Sequence, residues 1–404
     1  MLNKLIADRS SMYGFLARLY REEVDRELLD RLAKTDWLVM DNSPEISEDE
    51  IQAVVKVMRS GYLTSGLGAG PEVLEFEKNF AKFACADHAV AVNTGTAALH
   101  SAIMACGVKS GDEVILPSFT FVATAEAVVL AGGKPVFADI DSKTYNLSPI
   151  AVEKAITKKT KAVLPVDLYG FSADMKPMRE ITAKHGLTLV EDAAQAHGAT
   201  YAGRPAGSFS DVACWSMYAS KNITTGEGGI ATTNDDSTAE TLRMIRTHGE
   251  KAKYSSLMLG TNYRMSEIQA AIGSVQLEKL PAFLAKRKKN AQQLTKILQE
   301  STRLALPWES KDRHHSWYLY TARLKDSTET QRNSLMEELK KKGIGSEAYY
   351  VNPVHQMPFY RENFESTKLP ETEKASKQVF SLPIHPAVTA EQIDFIGKTV
   401  LSLL

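Results

Sequence analysis

GSFSDVACWSMYASKNITTGEGG, Gly207–Gly229, sets one lysine between an apolar run and a run of small polar residues. Val212, Ala213, Cys214 and Trp215 read as a short buried strand. Ser216, Ser220, Asn222, Thr224, Thr225, Gly226, Gly228 and Gly229 read as the loop that follows. A buried strand that delivers Lys221 into such a loop holds its amine away from bulk water. Desolvation favours the neutral, nucleophilic amine, the form that makes a Schiff base with a carbonyl. The same stretch also describes a solvated lysine beside a turn, and alone it does not choose between the two.

Two further stretches shift the balance. LTLVEDAAQAHGATYAG, Leu187–Gly203, runs from a strand-like segment into Glu191 and Asp192. An acid at the carboxyl end of a buried strand stands where open α/β sheets bind ligands. A carboxylate there can keep a pyridine nitrogen protonated, which pyridoxal phosphate (PLP) needs to act as an electron sink. AVAVNTGTAALHSAIMACG, Ala89–Gly107, runs from a strand through Asn93, Thr94, Gly95 and Thr96 into an alanine-rich helix. Small and hydroxyl residues at a helix N-terminus make an anion site, because free N–H groups and the helix dipole point at it. A lysine, a strand-end acid and a phosphate cradle in one chain form a specific combination.

At these residues the chain resembles the sugar aminotransferase family called DegT/DnrJ/EryC1/StrS. The segments GYLTSG, NTGTAALH, PSFTFVATAEAV, GGKPVFADID, VEDAAQAHGA, YASKNITTGEGG and GTNYRMSEIQAAIG occur in the family's order, from about Trp37 onward. The resemblance implies an α/β protein of PLP-dependent transferase fold type I, the aspartate aminotransferase-like fold. A large domain with a mixed, mostly parallel sheet is then expected over residues 37–280, and a small C-terminal α/β domain over 281–404. It implies a homodimer whose sites are completed across the interface. It implies PLP as cofactor, and transfer of an amino group from glutamate, or less often glutamine, to a nucleotide-linked keto sugar. Lys221 and Asp192 are the expected catalytic residues. Gly95, Thr96, Ser216 and, from the partner subunit, Asn262 are expected at the phosphate, Phe121 on the cofactor ring and Gln195 at its phenolic oxygen. Thr64, Arg264, Tyr350 and His355 are candidate substrate contacts. Core packing is the competing reading for Phe121, Tyr350 and His355, an inter-element turn for Thr64, and a core salt bridge for Arg264. Family members that dehydrate sugars carry histidine in place of the lysine, so Lys221 argues against that chemistry. A carbocycle-forming enzyme or a non-catalytic regulatory homologue stands as the other alternative.

Length and composition agree with this reading. A chain of 404 residues accommodates more than one domain. Its 48 basic and 49 acidic residues leave no charge excess that calls for nucleic acid. Cys85, Cys106 and Cys214 are too few and too scattered for a disulfide framework or a zinc site, and no metal is expected. No signal peptide and no apolar run of about 20 residues is visible, so a cytoplasmic protein with no membrane partner is expected.

Residues 1–36 fall outside the resemblance. Met12, Phe15, Leu16, Leu19, Leu28, Leu29 and Leu32 recur at helical spacing, which predicts an amphipathic arm packed on the body of the protein or its partner. Farther on, Ser47 and Glu50 fit a capping box. Strand and helix patterns alternate from Glu72 to Pro165, which predicts a parallel sheet with helices on both faces. Gly260–Gly273 is expected to open one helix and Lys279–Leu298 to form another. His197 reads as structural, and the adjacent His314 and His315 as loop residues.

Overall fold

Seven strands, each short and mostly buried, make the main sheet. They are β1 (His88–Val92), β2 (Glu113–Pro117), β3 (Lys134–Ala138), β4 (Thr160–Val163), β5 (Thr188–Asp192), β6 (Val212–Ser216) and β7 (Gly229–Thr233). The computed structural model describes Val39 and residues 42–66, 68–365 and 367–404; the expected arm, residues 1–36, lies outside the described residues. The strand order is β1-β7-β6-β5-β4-β2-β3. Pairing is parallel from β3 to β6, and β7 runs antiparallel to both β6 and β1. Burial on both faces explains the near-continuous apolar runs. The mixed, mostly parallel sheet is the one expected for fold type I.

This topology brings the carboxyl ends of β1, β2, β5 and β6 to one edge. The start of β7 joins them there, with Gly229 paired to Val92 on one side and to Ser216 on the other. Helices cover both faces; α1 (Glu48–Ser60) and α2 (Pro71–Ala84) precede the sheet in the chain. Val190 of β5 packs with residues of α3 (Gly95–Ala105) and α4 (Ala123–Leu130), whereas Leu189 packs with Met175 and Met178 of α5 (Met175–His185). Alternation then sends Asp192 toward α3 and α4, and Glu191 toward the opposite face.

The helix after Ser266 differs from expectation. A single 32-residue helix, α6 (Glu267–Leu298), replaces the two expected, and continues through Pro281. Proline removes one intrahelical bond. Packing on both sides of it holds the helix together: Ala270, Leu280 and Phe283 lie in the core under the main sheet, and Ala291, Leu294 and Leu298 in a second core. That second core surrounds a three-stranded antiparallel sheet of Leu304–Ala305, Tyr320–Leu324 and Val379–Leu382. Val39 enters it, donating its N–H to Gly343 O (2.9 Å) and accepting from Gly345 N–H (2.7 Å). The expected capping box is present: Ser47 Oγ accepts from Asp49 N–H at 3.2 Å, and Glu50 Oε2 from Ser47 N–H at 2.8 Å. His314 belongs to a two-residue strand paired with Thr200, not to a loop, and His315 stacks on Trp317.

Glu191 meets a second acid on its face of the sheet. Glu191 and Asp167 are both fully buried. Glu191 Oε1 accepts from Gly207 N–H (2.7 Å), and Asp167 Oδ1 from Ala173 N–H (2.8 Å). Their other oxygens, Glu191 Oε2 and Asp167 Oδ2, are buried without a donor at hydrogen-bond geometry among the described residues; the two carboxyls act on each other, with the Ser210 hydroxyl also near Glu191, and one proton shared between them satisfies both. Burial and the Glu191 charge hold the Asp167 carboxyl well above the usual carboxylate range; Glu191 is raised as well, chiefly by burial. A raised carboxyl contributes stability that is complete below its unfolded pKa, about 4, and lost as pH rises through its folded value. Urea unfolding midpoints of the wild type are therefore expected to fall from about pH 5 to about pH 9. Asp167→Asn, which keeps a neutral donor, should flatten that slope. Asp167→Leu, which leaves Glu191 a buried charge, should cost about 3 kcal/mol. Equal slopes in wild type and Asp167→Asn would contradict the shared proton.

Candidate active site

The sheet edge described above collects the residues singled out from the sequence. Asp192 closes β5 and is 4% exposed. Its Oδ2 accepts from Thr124 Oγ1 at 2.8 Å and its Oδ1 from Ala194 N–H at 3.1 Å. Burial raises its pKa, while Thr124, the Ala194 N–H and the positive charge of Lys221 oppose the rise. A buried carboxylate held by two donors and a nearby cation is a fixed negative group, suited to keeping a proton on a basic nitrogen.

Lys221 follows β6 in a loop fixed by its own polar residues. Met217 N–H donates to Gly228 O (2.9 Å), Thr225 N–H to Met217 O (3.0 Å) and Lys221 N–H to Tyr218 O (2.9 Å). Asn222 Nδ2 donates to His197 O (3.3 Å) and Ser316 O (3.1 Å), which ties the loop to the segment that leads into the strand Tyr320–Leu324. The Lys221 side chain is half-buried, with Nζ lying 4.6 Å from the centre of the Tyr318 ring.

The anion cradle is built by close approach. Thr94 caps α3, its Oγ1 accepting from Ala97 N–H (3.0 Å) and its O from Ala98 N–H (3.1 Å). The N–H groups of Gly95 and Thr96 are then the first-turn donors without intrahelical partners. A Cβ on Gly95 would come within 2.7 Å of Ser216 Cβ, and one on Gly229 within 2.2 Å of Thr94 O. Three segments therefore meet where no side chain fits. Ser216 Oγ accepts from Tyr218 N–H (3.3 Å) and keeps its own hydrogen to donate.

Aromatic residues wall the edge. Phe119 is fully buried, whereas Phe121 is 57% exposed, its ring 6.2 Å from that of Tyr350. Gln195 is buried and already oriented: Oε1 accepts from Tyr169 N–H (2.7 Å), and Nε2 donates to the Tyr350 hydroxyl at 3.2 Å. Of the other candidates, Arg264 and His355 reach this edge through Val92 and Ser118. Thr64 is exposed on its glycine-rich loop. Arg264 is half-buried and donates to Thr247 Oγ1 (3.1 Å). His355 is occupied by Ser118, whose Oγ lies 2.6 Å from Nδ1. Asn262 is exposed, on a backbone held by Asn93 Nδ2 and paired with Thr247. His197 is buried against Trp215, and burial pushes its pKa down to about 3, so it is neutral.

Thr124, Tyr318 and Asn42 are the residues that sequence reasoning missed. Thr124 carried a signal, a hydroxyl in the first turn of α4 after the aromatic run. Tyr318 and Asn42 carried none, because tertiary packing brings Tyr318 to Lys221 and Asn42 to the neighbouring Ser220 O.

These residues fit PLP. The small-residue cradle and free helix N–H groups suit its phosphate, the buried Asp192 its ring nitrogen, and Lys221 its aldehyde. The description of the DegT/DnrJ/EryC1/StrS aminotransferase family matches residues 44–401. The pleiotropic regulatory protein of Geobacillus stearothermophilus is 40% identical over 360 residues, covering 88% of this chain and 94% of that protein. GDP-perosamine synthase of Caulobacter vibrioides is 39% identical over 355 residues, covering 87% of this chain and 94% of its own. The crystal structure of S. venezuelae DesV, in complex with a ketimine intermediate, matches with a TM-score of 0.83 at 39% identity, over 88% of this chain and 94% of that one. Site geometry, fold and sequence agree, and the chain belongs to the DegT/DnrJ/EryC1/StrS family of PLP-dependent aminotransferases.

Proposed function

We propose that this protein moves an amino group from glutamate, or glutamine, to a nucleotide-linked keto sugar and releases an amino sugar. The observation that carries the proposal is the meeting of Lys221, Asp192 and the Gly95–Ser216 cradle at one sheet edge. The sugar class is supported by the relative named GDP-perosamine synthase.

PLP, when bound, supplies the electron sink that stabilises negative charge at the substrate carbon. Lys221 would hold the aldehyde carbon of that group, and its amine, once free, would serve as the general base that takes and returns the proton at the substrate carbon. Asp192 keeps the ring nitrogen protonated. Gly95 and Thr96 N–H groups and the Ser216 hydroxyl bind the phosphate. Phe121 would cover the ring, and Gln195, fixed by Tyr169 and Tyr350, would reach its phenolic oxygen. Thr64, Arg264, Tyr350 and His355 are the proposed substrate-side residues, His355 acting through its hold on Ser118.

The protein is proposed to work as a homodimer with shared sites. Support comes from Asn262, whose backbone is anchored while its side chain faces outward, free to reach a partner's phosphate site. A cytoplasmic location is part of the proposal; among the described residues no helix is long and apolar enough to cross a membrane. A regulatory role is the second reading, favoured only by the name of the Geobacillus relative. The intact Lys221 and Asp192 favour catalysis.

Two outcomes are expected. Incubation of the loaded protein with glutamate and a panel of nucleotide-linked 3-keto and 4-keto sugars should give an amino sugar by mass spectrometry. A cofactor that responds to glutamate while no sugar accepts the amine would overturn the sugar assignment. Asp192→Asn should keep the fold and bound cofactor and lower kcat by about 1,000-fold, roughly 4 kcal/mol of barrier. A loss within tenfold would remove Asp192 from the ring nitrogen.

A further inference from the structure

Lys221 is not held by its own loop alone. Its Nζ lies over the Tyr318 ring at 4.6 Å from the centroid. Tyr318 is 7% exposed, so this contact is largely shielded from water. Four residues close a circuit around it. The Tyr318 hydroxyl and Ser220 Oγ are 3.0 Å apart. Ser220 O accepts from Asn42 Nδ2, and Asn42 Oδ1 accepts from Arg287 Nη2 at 3.4 Å. Arg287 Nη1 returns to Tyr318 O (3.1 Å) and also holds Trp317 O (3.2 Å). Arg287 projects from α6, Tyr318 precedes the strand Tyr320–Leu324, and Asn42 lies in the entering chain, so three separate segments converge on the residue next to Lys221. Arg287 is 2% exposed, and its Nη1 and Nη2 donors go to carbonyl and amide oxygens. A buried guanidinium used in this way fixes backbone rather than balancing a carboxylate.

We propose that Tyr318 is a positioning residue for Lys221, its ring face receiving the positive charge that the amine gains on taking a proton. An aromatic face attracts an ammonium, and more strongly when water is excluded. The ring therefore favours the protonated product of each proton transfer to Lys221 and limits the directions in which the amine points. The hydroxyl's task is orientation, through Ser220. The remaining titratable groups whose charges act at this place are Asp192 and His197, which interact with Lys221, and Tyr350, which interacts with Tyr318. All three are left unchanged in the variants below. The inference rests on the assignment of Lys221 as the cofactor lysine.

The test uses cofactor-loaded protein and two substitutions. Tyr318→Phe keeps the ring face and loses the hydroxyl. Tyr318→Leu loses the face, and Tyr318→Met, closer in volume, replaces it if the leucine variant does not fold. The first readout needs no turnover: the pH midpoint of the visible band of the lysine-bound cofactor. Loss of the face should move it down by roughly 0.5–1 pH unit, and Tyr318→Phe should leave it in place. The second readout is the half-reaction with glutamate, which should slow about 30-fold in the variant without the ring. The half-saturating glutamate concentration should stay within about threefold. An unmoved midpoint in the leucine or methionine variant, or equal damage from phenylalanine, overturns the role of the ring face. Cofactor attached to a different lysine in the wild type would instead overturn the assignment on which the inference rests.

Discussion

A carboxylate buried at the end of a β-strand is the constraint on which this structure depends. Asp192 is removed from water, and a desolvated negative charge is costly unless donors and a cation surround it. Thr124 and the Ala194 N–H supply the donors, and Lys221 supplies the charge. Each comes from a different connection at the same sheet edge: Thr124 from the loop and helix after β2, Ala194 from the turn after β5, Lys221 from the loop after β6. The parallel topology makes this possible, because only strands running in one direction present all these connections together. The antiparallel β7 completes the edge, since Gly229 at its start lets Thr94 and Ser216 close on the anion cradle.

The second core contributes from the other side. Helix α6 crosses from one core to the other without a break, and Arg287 sits on the part that has left the main sheet. Its bonds to Trp317 O and Tyr318 O make the wall behind Lys221 part of the same rigid unit as the helix. Asn42 brings the entering chain to the same place. Displacement of either element would reach the lysine loop directly. The pairing of Asp167 with Glu191 serves the opposite face of β5, where it fills a polar gap with a shared proton and leaves Asp192 as the acid aimed at the ligand side.

Local features were legible in the sequence where the physics is local. The Ser47–Glu50 capping box, the alternation that separates Glu191 from Asp192, and the small residues at Gly95 and Gly229 follow from periodicity, caps and sterics within a few positions. Strand alternation with helices was sufficient for the sheet. The continuity of α6 through Pro281 was not legible, because packing in two cores outweighs the local signal of a proline. Tyr318 could not be identified either: WYLYTARL describes a strand, and nothing in it marks a ring that lies beside a lysine 97 positions earlier in the sequence. His355 stands in a proline-broken aromatic stretch that reads as substrate contact or as packing, and its bond to Ser118 was not legible there, since it joins residues 237 positions apart.

The claim at the centre of this account is that Lys221, and no other lysine, carries the cofactor. Reduction of the loaded protein with borohydride fixes the imine irreversibly, and peptide mapping by mass spectrometry then locates the added mass. The account predicts a single labelled peptide containing Lys221. A label on any other lysine would contradict it, and with it the reading of the sheet edge as the catalytic centre.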